Sequence, residues 1–206
     1  MRALVILLVF LIPAIIIGCG SSVDQDTVVN IRDNAFDPTT LTVSPGTTVR
    51  FTNSDNTTHT IVSGSLTATS SPQTISVSLL DTQFSRSTLT VHLNDTVRFV
   101  NASNSNRQIE VKDNSNLDVV YLTPVLAPQE SNDFRTTATG IFQVRDASNA
   151  AVQMTLTVEG VPNPDGRFSS SVLAPGEHFE FQFNTAGEFP FFCGQHNIEQ
   201  GTIVVE

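Results

Sequence analysis

The residues with the clearest capacity for chemistry stand near the C-terminus, where His196 follows Cys193 after two intervening residues. A strand predicted over 187–192 ends at the cysteine, and Gly201 opens the last predicted strand. A thiolate and an imidazole on such a tight turn can both face a single ion, and soft sulfur with nitrogen donors suits copper or zinc. The Cys-x-x-His spacing alone is a weak signal, so the prediction of a metal site depends on further donors.

A third donor lies far upstream of this turn. His59 stands after the turn at 53–56, at the head of a strand predicted over 58–63. The two other histidines are weaker candidates. His178 lies among acidic residues in a predicted strand and is expected to point to solvent, and His92 has no ligand partner in sequence.

Several segments around these residues resemble the cupredoxins of the plastocyanin and amicyanin group. In that family, an upstream histidine joins the cysteine and histidine of the C-terminal loop as a trigonal set of ligands on copper. The resemblance implies one mononuclear, type 1-like (blue) copper site at His59, Cys193 and His196, and it covers 27–66 and 166–206. The segments that carry it are Ala35-Phe-Asp-Pro, Leu41-Thr-Val-Ser-Pro-Gly-Thr-Thr-Val-Arg-Phe-Thr-Asn53, His59-Thr-Ile-Val-Ser, Leu173-Ala-Pro-Gly and Gly187-Glu-Phe-Pro-Phe-Phe-Cys193-Gly-Gln-His196.

The fourth ligand position departs from the family pattern. The amicyanin-like loop reads Cys-x-x-His-x-x-Met, and this sequence has Glu199 where the weak axial methionine would stand. A carboxylate is a harder, anionic ligand, which stabilises the oxidised ion and lowers the reduction potential. The alternatives are Gln200 as an amide ligand, a backbone carbonyl, water at an open position, or a Glu199 that is only a solvated loop residue.

The resemblance implies an electron carrier and not an enzyme. Electrons would pass through the solvent-near imidazole of His196 to a redox partner protein. Copper storage or delivery is the alternative function, because an axial carboxylate or an open site would permit exchange. A single mononuclear site without further histidines argues against oxidase or nitrite reductase chemistry, and the sequence has no phosphate-binding glycine loop, Gly-x-Ser-x-Gly elbow or His-Glu-x-x-His motif.

The elements that must position these residues are strands. Short alternating runs rich in Val, Thr, Ile and Phe are separated by turn residues, and no sustained helical period follows the N-terminal segment. Fourteen candidate strands are too many for one sandwich. The predicted fold class is therefore all-β, with two Greek-key β-sandwiches of cupredoxin type.

An internal repeat supports two sandwiches. Residues 36–53 match 84–101 without a gap at an offset of 48. Residues 140–159 match 187–206 at an offset of 47. Both first halves therefore precede both second halves, an order that tandem duplication would not produce.

Nesting explains that order most simply. Residues 67–164 would form a cupredoxin-like domain inserted into a loop of the copper-binding domain, which is built from 27–66 plus 165–206. The rival arrangement pairs the halves crosswise, so that the first segment packs with 126–159. Nesting is favoured because it places all three predicted ligands in one sandwich.

The inserted repeat lacks the metal ligands. At the shared offsets, Arg107 stands at the place of His59, Asp146 at that of Cys193, and Asn149 at that of His196. None of these residues makes a copper thiolate centre. The insert is therefore predicted to be a scaffold without metal, acting as a spacer, a docking face or a cover over the copper edge.

The N-terminus reads as a targeting segment. Residues 1–18 are an apolar run after one basic residue, as in a secretory signal peptide. Small residues before Cys19 resemble the lipobox of prokaryotic lipoproteins, which implies a lipidated Cys19 on a polar tether over 19–26. An uncleaved transmembrane anchor is the alternative, although the run is short for a span of about 20 residues and contains Pro13. Both interpretations predict an extracytoplasmic protein bound to a lipid membrane, in the periplasm or at the cell surface.

Charge and cysteine content narrow the remaining possibilities. Twenty acidic against ten basic residues make the protein a poor candidate for binding nucleic acid, which needs a basic face. With Cys19 lipidated, Cys193 has no disulfide partner, so its thiol is available for a metal. A monomer is expected.

Overall fold

The computed structural model describes residues 27–206. The predicted signal segment, lipobox and Cys19 lie outside the described residues. Within residues 27–206 the regular elements are seventeen β-strands and there is no α-helix, so the predicted all-β fold is confirmed. Over the same residues, no helix has the length and hydrophobicity needed to cross a membrane. In chain order the strands are β1 (Val28–Arg32), β2 (Ala35–Asp37), β3 (Thr40–Val43), β4 (Thr47–Asn53), β5 (Ile61–Thr67), β6 (Thr74–Leu79), β7 (Thr88–His92), β8 (Thr96–Asn101), β9 (Ile109–Asp113), β10 (Val119–Leu122), β11 (Ser131–Arg135), β12 (Gly140–Asp146), β13 (Asn149–Glu159), β14 (Val161–Ser169), β15 (His178–Phe183), β16 (Gly187–Cys193) and β17 (Gln200–Val205).

Two sheets from both ends of the described chain pack into one sandwich, called here the first sandwich. One sheet has the order β15-β4-β1-β2, and the other has the order β14-β5-β16-β17-β3. Inward side chains alternate along the strands, as in β4, where Val49 and Phe51 are buried. Phe51 and Phe191 meet edge to face across the core, with ring centroids 5.1 Å apart. Cys193 belongs to the same core cluster, so the sandwich itself holds the thiol in place.

The strands between residues 74 and 159 form the second sandwich. Its sheets have the orders β10-β9-β12-β13-β7 and β11-β8-β6. Alternation is clear in β13, where Val152, Met154, Leu156 and Val158 are buried and the residues between them are not. These side chains belong to a separate hydrophobic cluster with residues from both sheets.

The two sandwiches repeat one strand plan. The parallel pair β1/β4 corresponds to β6/β8, and the parallel pair β3/β17 corresponds to β7/β13. The turns match as well. The side-chain amide of Asn53 donates to the carbonyl of Leu173 at 2.9 Å, and that of Asn101 donates to the carbonyl of Leu126 at 2.8 Å. The sequence repeat therefore corresponds to a structural repeat at the level of single hydrogen bonds.

Three strands, β2, β10 and β14, lie outside the segments that periodicity predicts. β14 contains Pro162 and Pro164, which favour a turn by composition. It forms the edge of its sheet and pairs with β5 alone, and prolines are tolerated at an edge because one side of the strand needs no hydrogen bonds. Through β14, the strand pairing of the first sandwich extends from Thr67 to Val161.

Candidate metal centre

The candidate ligands come from two loops that the strands hold side by side. His59 lies between β4 and β5, and its backbone forms an isolated antiparallel bridge with Leu173. Cys193 ends β16 and pairs with Ile61 of β5. The backbone N–H of Cys193 donates to the carbonyl of Glu199 at 3.1 Å, which closes the loop that also carries His196.

Four side chains converge here: those of His59, Cys193, His196 and Glu199. The Cys193 Sγ lies 3.6 Å from Nδ1 of His59 and 3.6 Å from Nδ1 of His196. The two Nδ1 atoms are 3.3 Å apart. The Glu199 carboxylate adds Oε2 at 3.1 Å from Nδ1 of His59 and Oε1 at 3.1 Å from Nδ1 of His196. Among residues 27–206, this is the group of histidine, cysteine and acidic residues that could hold a single metal ion.

The spacing of the donor atoms fits one coordination sphere. Bonds of about 2.0 Å from metal to nitrogen and about 2.3 Å from metal to sulfur place neighbouring donors about 3.3–3.7 Å apart. The sulfur and the two Nδ1 atoms have this separation. The chemistry of the donor set agrees, because a thiolate and two imidazoles bind copper or zinc in preference to magnesium or calcium.

The Glu199 carboxylate gives a second sign of a cation. Glu199 is 1% exposed, and its Oε1 accepts no hydrogen bond although it lies 3.1 Å from Nδ1 of His196. An unsatisfied buried carboxylate oxygen costs free energy unless a cation or a donor compensates it. Glu199 is therefore not a solvated loop residue, and a metal ion between the ligands would satisfy its free oxygen.

Burial leaves one edge of the cluster open. His59 and Cys193 are fully buried, whereas the side chain of His196 is 32% exposed. The imidazole of His196 is therefore the solvent-near ligand, as the sequence predicts.

Burial also favours the uncharged forms of the ligands. It raises the pKa of the Cys193 thiol, and it raises the pKa of Glu199 to about 7, with a further contribution from the charge of Asp55 and an opposing hydrogen bond from Cys193. It lowers the pKa of His59, helped by the neighbouring His196. A bound cation would reverse this balance for the acidic groups, so metal binding would release protons.

Asp55 and Thr57 complete the site, and the ligand pattern does not reveal them. Nε2 of His59 lies 3.2 Å from Oδ2 of Asp55 and 3.2 Å from Oγ1 of Thr57. A carboxylate at the outer nitrogen of a ligand histidine fixes the ring and directs the other nitrogen to the metal. The sequence shows an aspartate four residues before His59. That spacing predicts a contact only when the conformation of the turn between β4 and β5 is known.

The other candidates lie outside the cluster. Gln200 is exposed, and its amide nitrogen approaches Thr139 of the second sandwich at 3.5 Å. His178 is exposed on β15, and the side chain of His92 is 55% exposed. The aromatic run before Cys193 divides between core and surface: Phe191 and Phe192 are buried, whereas Phe189 and Pro190 are half-buried.

The equivalent place in the second sandwich holds an ion pair. Arg107 forms the same kind of bridge, with Leu126, that His59 forms with Leu173. Nη1 of Arg107 donates to Oδ2 of Asp146 at 2.6 Å, and Ser148 donates to the other carboxylate oxygen through its backbone and its hydroxyl. Asp146 is fully buried. Guanidinium and carboxylate thus occupy the space where the first sandwich gathers its ligands.

Comparison with known proteins gives structural similarity only. No protein-family model and no curated protein matches the sequence. A reduced Cu(I) mutant form of amicyanin is 15% identical, with 41% of this chain and 81% of that chain covered and a TM-score of 0.37. A reduced auracyanin from Roseiflexus castenholzii is 15% identical, with coverages of 45% and 98% and a TM-score of 0.36. A Cu-containing nitrite reductase from Thermus scotoductus is 12% identical, with coverages of 84% and 93% and a TM-score of 0.31. At these values the interpretation of the site depends on the geometry of the chain itself.

Proposed function

We propose that the protein is an electron-transfer protein with one copper ion bound by His59, Cys193 and His196, and with Glu199 as the fourth ligand. One observation carries the proposal: the sulfur and two imidazole nitrogens lie 3.3–3.6 Å apart within one sandwich, although more than a hundred residues separate His59 from the others. Bound there, copper would supply a one-electron couple.

The surroundings of the ligands favour electron transfer. Cys193 is paired in a sheet and His59 is bridged to Leu173, so neither ligand backbone can move far when the charge on the ion changes. A site that keeps its geometry in both oxidation states suits a copper carrier. The partly exposed ring of His196 then offers the contact point for a partner protein, while the other ligands stay shielded from water.

The proposal extends to domains and location. Residues 27–66 plus 165–206 would form the copper domain, and 67–164 would form an inserted domain without metal, joined to the copper domain where Thr67 pairs with Val161. Lipid on Cys19 would tether this monomer outside the cytoplasm of a prokaryote, where it meets a redox partner. The strand pairing of β4 with β15 and of β5 with β16 supports the domain division.

Copper storage or delivery is the second candidate, and Glu199 is the observation that favours it. A buried carboxylate 3.1 Å from the imidazole nitrogens would stabilise the oxidised ion and oppose reduction. A site that binds one oxidation state of copper much more strongly than the other is better suited to transporting the ion than to repeated reduction and oxidation.

The test is copper(II) titration of purified residues 20–206. An intense visible thiolate-to-copper absorption should appear, and it should be lost in Cys193→Ser. His178→Gln removes an exposed histidine outside the cluster and should leave the band unchanged. No thiolate band in the parent protein, or an unaltered band in Cys193→Ser, would refute the copper site.

A second measurement separates the two functions. Repeated reduction and reoxidation in the presence of a copper chelator should leave the ion bound if the protein carries electrons, whereas loss of the ion on reduction would indicate delivery. Electron paramagnetic resonance spectra of Glu199→Met and Glu199→Ala test the fourth ligand. Spectra identical to the parent would show that Glu199 does not coordinate.

A further inference from the structure

The second sandwich is hydrogen-bonded directly to the loop that carries the metal ligands, called here the ligand loop (residues 194–199). The backbone N–H of Gly160 donates to the carbonyl of Asn197 at 2.8 Å. The hydroxyl of Thr139 donates to the carbonyl of Ile198 at 3.2 Å. Both acceptors lie between His196 and Glu199 in the chain.

Both donors flank one β-hairpin of the second sandwich. Thr139 immediately precedes β12 and Gly160 immediately follows β13, and these two strands pair in register along a long hairpin. The open end of this hairpin therefore faces the ligand loop. Both outer edges of the hairpin are paired, β12 with β9 and β13 with β7, which anchors it in the second sandwich.

Gly160 sits where a larger residue has no room. A Cβ at this position would lie 2.5 Å from Cβ of Leu66 and 3.3 Å from Cγ2 of Thr139. Leu66 belongs to β5, the strand that also pairs with Cys193. The contact thus joins the hairpin, the strand beside the thiol and the ligand loop at a single point.

Backbone hydrogen bonds within the first sandwich hold the two ends of the ligand loop. The N–H of Cys193 reaches the carbonyl of Glu199, and the N–H of Gly194 reaches the carbonyl of Thr60. The carbonyls of Asn197 and Ile198 are directed to the second sandwich instead. Asn197 and Ile198 form the turn between His196 and Glu199, which the N–H of Glu199 closes by donating to the carbonyl of His196 at 3.2 Å.

We propose that the second sandwich is a clamp on the ligand loop, with Thr139 and Gly160 as positioning residues that hold Glu199 against the other ligands. This inference rests on the proposed copper site. It assigns a role to the second sandwich, which contributes no ligand to that site. Without the clamp, the loop between His196 and Glu199 would move more, and the carboxylate would leave the cluster more often.

The experiment compares Thr139→Val with Thr137→Val in copper-loaded protein. Valine keeps the shape of threonine and removes the hydroxyl, and Thr137 is an exposed neighbour in the same segment. Loss of an outer hydrogen bond that orients a ligand weakens metal sites by about 10–100-fold. We expect Thr139→Val to release copper to a chelator about tenfold faster and to change the electron paramagnetic resonance spectrum. Thr137→Val should match the parent in both measurements.

A metal-independent readout keeps the clamp distinguishable from the copper proposal. In metal-free protein, amide hydrogen exchange over 194–199 should quicken in Thr139→Val and stay at the parental rate in Thr137→Val. Gly160→Ala should quicken it further, because the added Cβ pushes against Leu66, and the melting temperature of each variant verifies that it folds. Equal loop exchange in the parent, Thr139→Val and folded Gly160→Ala would overturn the clamp even if copper binds. A parent that binds no copper but shows the predicted exchange would overturn the copper site alone.

Discussion

The two sandwiches place different residues at equivalent positions of the same strand plan. In the first, the position bridged to Leu173 is His59 and the end of the facing strand is Cys193; in the second, Arg107 bridges to Leu126 and faces Asp146. The backbone brings the two positions together in both cases. The comparison teaches that the strand plan brings two side chains face to face, and that residue type decides whether they form an ion pair or belong to a set of candidate metal ligands.

The pKa shifts of the buried acidic groups at the two sites have opposite signs. Burial alone would raise the pKa of Asp146, but hydrogen bonds from Ser148 and the pairing with Arg107 outweigh it, and the pKa lies below its usual value. In the first sandwich, burial raises the pKa of Cys193 and that of Glu199, and the hydrogen bonds at both groups do not outweigh it. Asp146 is thus kept as a carboxylate by Arg107 and Ser148, whereas the uncharged forms of Cys193 and Glu199 are favoured unless a cation binds.

The largest expected effect comes from a substitution that breaks the ion pair between Arg107 and Asp146. Asp146→Asn leaves the largely buried Arg107 charge without its partner, so the free energy of unfolding should fall by about 3 kcal/mol. Denaturant unfolding measures it. Cys193→Ala at the matching place leaves no charge unpaired, and the metal-free protein should lose less stability.

Combining Arg107→Met with Asp146→Leu sharpens this prediction. Apolar residues of similar size often replace a buried ion pair at little cost, so the double variant should recover most of the loss. A double variant as unstable as Asp146→Asn would show that the pair is not the important feature.

An effect of similar size concerns pH. The pKa of Glu199 rises from 4.5 when exposed to about 7 in the folded, metal-free protein, so the folded state binds this proton more tightly than the unfolded state. Stability from Glu199 is therefore present below about pH 4.5 and is lost as the pH rises to about 7. Glu199→Gln cannot titrate, so its melting temperature relative to the parent should increase across this range and level off above it. A constant difference between the two proteins from pH 4 to 8 would contradict the raised pKa.

The smallest expected effect concerns Asp55. Asp55→Asn keeps the shape but weakens the hydrogen bond that orients His59, which should lower copper affinity by about tenfold and leave the thiolate band in place. A competition titration with a chelator of known affinity measures the change. The second sandwich has an arginine in place of this histidine, so substituting Asn104→Ala near Arg107 should leave copper affinity at the parental value.

Much of the fold could be predicted because alternation and repetition are local properties of the sequence. The sequences of β4, β8 and β13 alternate with a period of two. The offset of 48 aligns Arg107 with His59, and the offset of 47 aligns Asp146 with Cys193. β14 was not predicted because its two prolines indicate a turn. Its position at the edge of a sheet is what makes these prolines compatible with a strand.

The sequence by itself determined which donors exist and which repeat lacks them: sulfur at Cys193, imidazole at His59 and His196, and none of these at the matched positions of the other repeat. Only the tertiary structure decided that Glu199 is buried with a free oxygen and that Asp55 orients His59. It also decided that Gly160 reaches the ligand loop. The physical reason is that residue type sets which bonds a group can form, while burial and contact depend on strands distant in sequence packing together.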